Sequence, residues 1–163
     1  MKKLKTYLEK RNLKASPEPK GALKKAVAKQ PIFVVQEHDA SHLHYDFRLE
    51  LGGVLKSWAV PKGPPAVPQE KRLAIPTEDH PMEYADFKGT IPKGNYGAGT
   101  VKIWDKGTFE NIKKDRDGKL MSLKDSFNNG TIEIVLKGRK LKGGFALVHM
   151  KGKKEWLMIK MSH

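Results

Sequence analysis

The chain has 163 residues, with 32 Lys+Arg against 18 Asp+Glu and no cysteine. That length fits one domain with a sizeable core, and 38% apolar residues with three tryptophans exclude a disordered chain despite the charge. The missing cysteines exclude a disulfide framework, a thiolate metal site and a cysteine nucleophile, and no apolar run approaches the roughly 20 residues of a membrane span, so a cytoplasmic protein with no membrane partner is expected.

Residues 2–11 predict a short helix, with Leu4, Tyr7, Leu8 and Arg11 on one stripe at spacings of three and four. Met1-Lys2-Lys3-Leu4-Lys5 opens like a signal peptide, but no apolar stretch follows. Ser16-Pro17-Glu18-Pro19-Lys20-Gly21 breaks the helix, and residues 22–29 form a second basic helix or stay mobile. Residues 1–30 carry +8 of the net +14. A basic arm on 1–30, packed on a body formed by 31–163, is therefore expected. Charge of this kind most often meets a polyanion, nucleic acid above all.

From Ile32 the texture changes to strands. Ile32–Gln36, Leu43–Leu51 and Val54–Val60 come first, the last two joined by a Gly52-Gly53 hairpin turn. Pro61–Gln69, with four prolines, reads as an irregular loop. Further strands are expected at Arg72–Ile75, Thr100–Trp104, Thr108–Ile112, Thr131–Leu136, Phe145–Met150 and Trp156–Met161, with turns such as Asp105-Lys106-Gly107 between them. One late helix is expected at Ser122–Asn128, closed by Asn129-Gly130. Eight or nine short strands at close spacing predict a mostly β, antiparallel barrel or sandwich.

The chemistry concentrates on one strand. In His42–Leu51 the odd positions are Leu43, Tyr45, Phe47, Leu49 and Leu51, and the even ones His42, His44, Asp46, Arg48 and Glu50. Strand side chains alternate between faces, so one face belongs to the core and the other carries a row of polar groups. Same-face neighbours lie about 6.6 Å apart, close enough for His44 and Asp46 to converge on one ion, with His38 returning as a third ligand. Two imidazoles and a carboxylate suit Mn²⁺, Fe²⁺ or Zn²⁺. Arg48, two residues beyond Asp46, is what a phosphate beside that ion needs.

A second cluster, Glu78-Asp79-His80-Pro81 with Tyr84 beyond it, is expected in a loop between Pro76 and Pro81. There His80 serves as a general acid, a transition-state donor or a further ligand. Lys62 and Arg72 are a loop cation and a strand-start cation. Lys93–Gly99 resembles a phosphate loop but lacks the closing Gly-Lys-Ser/Thr and a following helix; it reads as a tight turn.

The segment His38-Asp39-Ala40-Ser41-His42-Leu43-His44-Tyr45-Asp46-Phe47-Arg48-Leu49 resembles the signature of the DNA 3′-phosphoesterase family, best known as a module of bacterial DNA ligase D. The likeness continues through Leu55–Pro64, Glu78–Pro81, Tyr84–Phe87, Ile91–Gly94 and Tyr96–Val101. It implies a compact antiparallel β-barrel of about eight strands with a groove on its outer surface. It also implies Mn²⁺-dependent healing of DNA 3′ ends on a primer–template or duplex. A terminal ribonucleotide is removed first, and then the 3′-phosphate, leaving 3′-OH for a ligase or polymerase of end joining.

On that resemblance His38, His44 and Asp46 are the metal ligands and His80 the catalytic histidine. Arg48 is the phosphate-contacting arginine, with Lys62, Arg72, Glu78 and Tyr84 as further functional positions. His42 has no fixed role. Asn12 stands where the family usually has an aspartate that supports ribonucleotide removal, while Glu18 is retained. With no room for polymerase or ligase modules, a stand-alone member is expected. Two rival readings remain: a nucleic-acid-binding barrel weak in catalysis, and an Fe(II) oxygenase using His44 and Asp46 with His80 as third ligand.

Overall fold

The computed structural model describes residues 4–11 and 30–162. Nine strands form one wholly antiparallel sheet: β1 (Ile32–Asp39), β2 (Leu43–Leu51), β3 (Val54–Val60), β4 (Lys71–Pro81), β5 (Gly89–Ile91), β6 (Gly99–Asn111), β7 (Thr131–Lys137), β8 (Lys142–His149) and β9 (Trp156–Lys160). The order β1-β2-β3-β4-β9-β8-β7-β6 closes on itself through a β1–β6 pairing, giving an eight-stranded barrel. β5 pairs with β6 outside that ring. Two short helices complete the fold, α1 (Lys5–Glu9) and α2 (Leu123–Asn129), with a 3-10 helix at Met82–Asp86. Among the described residues no helix is long and apolar enough to cross a membrane.

All eight ring strands feed the interior, from Phe33 and Val35 of β1 to Trp156 and Met158 of β9. Closure pairs each of the eight ring strands on both sides over part of its length, while the three-residue β5 and the far part of β4 keep a free side among the described residues. The β2–β3 turn needs positive φ at both central residues, and Gly52 (64°) and Gly53 (84°) supply it. α2 stops one end of the barrel. Ser122 caps it by accepting from Asp125 N at 3.0 Å, Gly130 ends it at φ 80°, and Phe127 stacks on Trp156 with centroids 5.6 Å apart.

A second apolar cluster lies on the outer side of the same sheet. Val34, Leu55, Ile91 and Val101 pack under Tyr7 of α1 and Tyr84 and Ala85 of the 3-10 helix. The Leu4–Arg11 stripe is real but narrower than expected: Leu4 and Tyr7 are buried, whereas Leu8 is exposed. Residues 12–29, including the expected second basic helix, lie outside the described residues.

Two expectations are corrected. Asp105-Lys106-Gly107 is not a turn but the middle of the 13-residue β6. There the Asp105 carboxylate accepts backbone N–H bonds from Arg139 (2.8 Å), Lys140 (3.1 Å) and Leu141 (2.7 Å), so it caps the neighbouring β7–β8 turn. Gly107 is required because any Cβ would strike the Lys137 carbonyl.

Second, Glu78–Pro81 is strand, not loop. β4 meets β9 only through Lys71–Ala74 and continues to Pro81 on β3 alone. Pro76 and Pro81 therefore sit where no second ladder needs their missing N–H. β5 adds a strand where none was expected, because three residues carry no readable period.

Candidate active site

β2 alternates as its sequence demands in its middle, with Phe47 and Leu49 in the barrel core, but its ends depart from the expected core face: Leu43 is 51% exposed and Tyr45 and Leu51 are only partly buried. The other face is not a solvated surface, however. Asp46 and Arg48 are 7% and 3% exposed, because α1, the 3-10 helix and the Pro92–Ala98 loop wall in a groove of about 300 Å³ over them. Strand register builds the floor: His44 lies opposite His38, and Asp46 opposite Gln36 on β1 and Ala59 on β3.

His38, His44 and Asp46 each offer a ligand atom, all within 4.8 Å of one another. Outer partners decide which nitrogen each imidazole presents. His38 Nε2 donates to the Gly97 carbonyl at 2.7 Å, leaving Nδ1 toward Asp46 (3.5 Å). His44 Nδ1 donates to the His42 carbonyl at 3.1 Å, leaving Nε2 toward Asp46 (3.4 Å). Tautomer fixation by backbone carbonyls is how proteins prepare metal-binding histidines. Burial opposes ionisation of Asp46, but the Arg48 guanidinium 3.4 Å away, with the His38 and His44 rings flanking it, outweighs burial and holds the carboxyl far below its usual range. The hydrogen bond to Asp46, against partial burial, raises His44. An anion flanked by two oriented imidazoles fits a divalent cation of the borderline class.

Arg48 is anchored on every side. Its Nε donates to Gln36 Oε1 at 2.7 Å, Nη1 lies 3.1 Å from His80 Nδ1, and the guanidinium sits over the Tyr84 ring at 4.9 Å. Gln36 in turn donates to the Tyr84 and Phe87 carbonyls at 2.7 and 3.0 Å, tying β1 to the 3-10 helix. Sequence reading gave Gln36 no role. The available signal was an amide ending an apolar strand, two residues before His38.

β4 delivers the opposite wall through a bulge. Leu55 pairs with His80 and Ser57 with Thr77, so one residue of β3 faces two of β4. The extra residue turns the consecutive Thr77 and Glu78 into the groove, with His80 following. His80 donates from Nδ1 to the Glu78 carbonyl at 2.8 Å. Its Nε2 accepts from Arg11 Nη2 at 3.2 Å. Burial first, then the Arg48 and Arg11 charges, push its pKa well below the ordinary value, so the imidazole is neutral. His80 is no part of the ligand group, and a ring pinned between two guanidiniums suits no cation. This counts against the oxygenase reading.

Arg11 is the main residue that sequence reading left without a role. It donates to Glu78 Oε2 at 2.8 Å, and both side chains are about 95% buried. Burial opposes ionisation of Glu78, yet Arg11 keeps it lowered. A cation on the buried stripe of an amphipathic helix demands a buried anion, which was the signal available. Tyr96 also lines the groove.

Lys62 and Arg72 do not line the groove. Lys62 is exposed, and Arg72 fastens its loop by donating to the Lys62 carbonyl at 2.5 Å while pairing with Glu70 at 2.8 Å. Asn12 and Glu18 lie outside the described residues.

The profile of the DNA ligase D 3′-phosphoesterase domain matches residues 36–149. The chain belongs to that family. It is 45% identical over 163 residues to the multifunctional non-homologous end joining protein LigD of Pseudomonas aeruginosa, covering 98% of this chain and 18% of that protein. The LigD of Mycolicibacterium smegmatis is 46% identical over 98% of this chain and 20% of its own length. The multifunctional non-homologous end joining DNA repair protein LigD of Mycobacterium tuberculosis is 43% identical over 95% and 19%. The chain thus spans about a fifth of the length of these relatives. The residues of the family signature, His38 to Arg48, are those that build the ligand group and the guanidinium beside it.

Proposed function

We propose that this chain is a metal-dependent DNA 3′-end-healing hydrolase. It removes a 3′-terminal ribonucleotide and then the 3′-phosphate, leaving 3′-OH for a ligase or polymerase of end joining. One observation carries the reading: three oriented ligand atoms, a fully anchored arginine and a neutral histidine converge in one groove. Phosphate esters resist hydrolysis because attacking water meets a polyanion and the leaving alkoxide is poor. That groove answers both problems.

A divalent ion, Mn²⁺ first among candidates, supplies Lewis-acid stabilisation of a non-bridging oxygen when held by His38 Nδ1, His44 Nε2 and the Asp46 carboxylate. Arg48 binds a second phosphate oxygen; its contacts to Gln36, Asp46 and the Tyr84 ring hold it in place, so little reorganisation is needed when charge develops. His80 is kept neutral by burial first and then by the two guanidiniums that flank it. A phosphate dianion between them cancels that field, so His80 gains proton affinity once substrate is bound and can protonate the leaving 3′-oxygen. No residue at the matched family positions stands as an obvious covalent nucleophile, so direct attack by water is the favoured route. Arg72 positions the loop from which Lys62 meets a DNA phosphate, and the basic arm on residues 1–30 holds the duplex behind the reacting end.

The deciding experiment follows a labelled primer–template ending in one 3′ ribonucleotide, with Mn²⁺ and with EDTA. Sequential loss of the nucleoside and then phosphate, only with metal, is expected. DNA binding with no product under either condition sinks the hydrolase reading and favours the binding-module alternative. In the same assay Asn12→Asp should raise ribonucleotide removal relative to phosphate release.

A further inference from the structure

One aromatic residue in the groove has no part in binding or activating a phosphate. Tyr96 is 48% exposed, and it is the only aromatic among the exposed large apolar side chains of the described residues. A lone exposed tyrosine means little by itself, but this one lines the cavity that holds His38, Asp46 and Arg48.

Its placement is rigid. The loop is closed by Asn95 N to the Pro92 carbonyl (3.2 Å) and Ala98 N to the Asn95 carbonyl (3.1 Å). The next residue, Gly97, gives its carbonyl to His38 Nε2 at 2.7 Å. The ring is therefore registered against the ligand group through a single peptide unit. Its hydroxyl accepts from Lys10 Nζ at 3.3 Å, and the Lys10 and Arg11 cations lie 4.7 and 5.3 Å from its centroid.

We propose that Tyr96 is the platform on which the base of the terminal nucleotide stacks while its 3′-phosphate sits at Arg48 and the ligand group. The inference rests on the phosphoesterase reading and adds what holds the nucleoside side of the substrate. The floor of the groove is charged and suits only the phosphate, so the sugar and base must lie toward the mouth, where Tyr96 offers π surface. Such stacking tolerates any base, because every base has a π-face. It suits an enzyme that must accept ends of any sequence. Lys10, whose exposed side chain lies beside the ring, favours the neighbouring phosphodiester, while Arg11 stays on Glu78.

The test uses the full chain and a primer–template with a 3′-terminal 2-aminopurine nucleotide bearing a 3′-phosphate, bound in EDTA so that nothing turns over. Wild type and Tyr96→Phe should quench the 2-aminopurine; Tyr96→Leu should not. Tyr96→Leu should bind this end about tenfold more weakly, within the range for base–aromatic stacking, and lose nothing further on an end with an abasic terminal nucleotide. Wild type should itself bind the abasic end about tenfold more weakly, a comparison that needs no variant. With Mn²⁺, the loss in Tyr96→Leu should fall on KM rather than on kcat.

If Tyr96→Phe and Tyr96→Leu weaken binding alike, the hydroxyl tether to Lys10 is what matters and the platform is overturned. Equal binding of abasic and intact ends by wild type overturns it too. Failure of the phosphoesterase reading looks different: quenching in wild type with no phosphate release under Mn²⁺ leaves the platform standing and removes the chemistry.

Discussion

The two faces of β2 are equally dry and are held by opposite physics. Phe47 and Leu49 are 0% and 1% exposed inside the barrel, and Asp46 and Arg48 are 7% and 3% exposed on its outer side. Inside, stability comes from apolar area removed from water and from close packing, which tolerates no loss of volume. Outside, burial of charge is unfavourable unless each group finds partners. Asp46 has Arg48, His38 and His44; Arg48 has Gln36 and Asp46, with its guanidinium over the Tyr84 ring. A strand can thus contribute a core and a reactive centre from adjacent residues, provided something roofs the second face. α1 and the 3-10 helix do this through Tyr7 and Tyr84. Changes on one face should therefore alter stability, and changes on the other chemistry.

The largest expected separation comes from His44→Ala and Phe47→Ala. His44 sits at the open side of the groove, with a quarter of its side chain exposed. Its loss should lower phosphate release by about three orders of magnitude, the several kcal/mol that a bound ion supplies to the transition state, while the urea midpoint barely moves. Near-wild-type release in that variant breaks the comparison. Phe47→Ala should do the reverse: about 3–5 kcal/mol of stability lost in urea unfolding, with Mn²⁺ affinity by calorimetry almost unchanged in the folded fraction.

Arg48→Lys keeps the charge but not the fork. Turnover should drop by about a hundredfold to a thousandfold, as when one preorganised donor is removed. Steady-state kinetics at saturating DNA measure it; wild-type turnover would show that a point charge suffices.

The smallest effect concerns pH. Burial and two guanidiniums depress the folded pKa of His80 below its ordinary value of 6.5. The unfolded chain then binds the proton more readily, so the stability linked to His80 is full above about pH 6.5 and is lost below it, by up to about 1.4 kcal/mol per pH unit. His44, raised in the fold, contributes in the opposite sense and loses its share as pH rises. Urea midpoints at pH 7.5 and 5.0 should therefore fall less on acidification in His80→Gln than in wild type. Equal falls would place the acid sensitivity elsewhere.

Sequence alone determined which face of β2 turns to the barrel and which carries the polar row, because a strand's period of two is a property of its own backbone; that Leu43 ends up exposed it did not show. It likewise placed the Gly52-Gly53 turn and both ends of α2, where local rules govern. The family signature named His38, His44 and Asp46, which the structure brings within 4.8 Å of one another, and the arginine beside them. Only the tertiary structure decided what depends on distant segments. Closure of β1 on β6 made the sheet a barrel. The β4 bulge turned Glu78 and His80 into the groove, against a reading in which two prolines required a loop. Arg11 came to Glu78 from 67 residues away, and the Gly97 carbonyl to His38 from 59. Those contacts set the tautomer of His38 and the neutrality of His80, since a pKa and a hydrogen-bond direction follow from what is near in space, and spacing along the chain reports only what is near within one element.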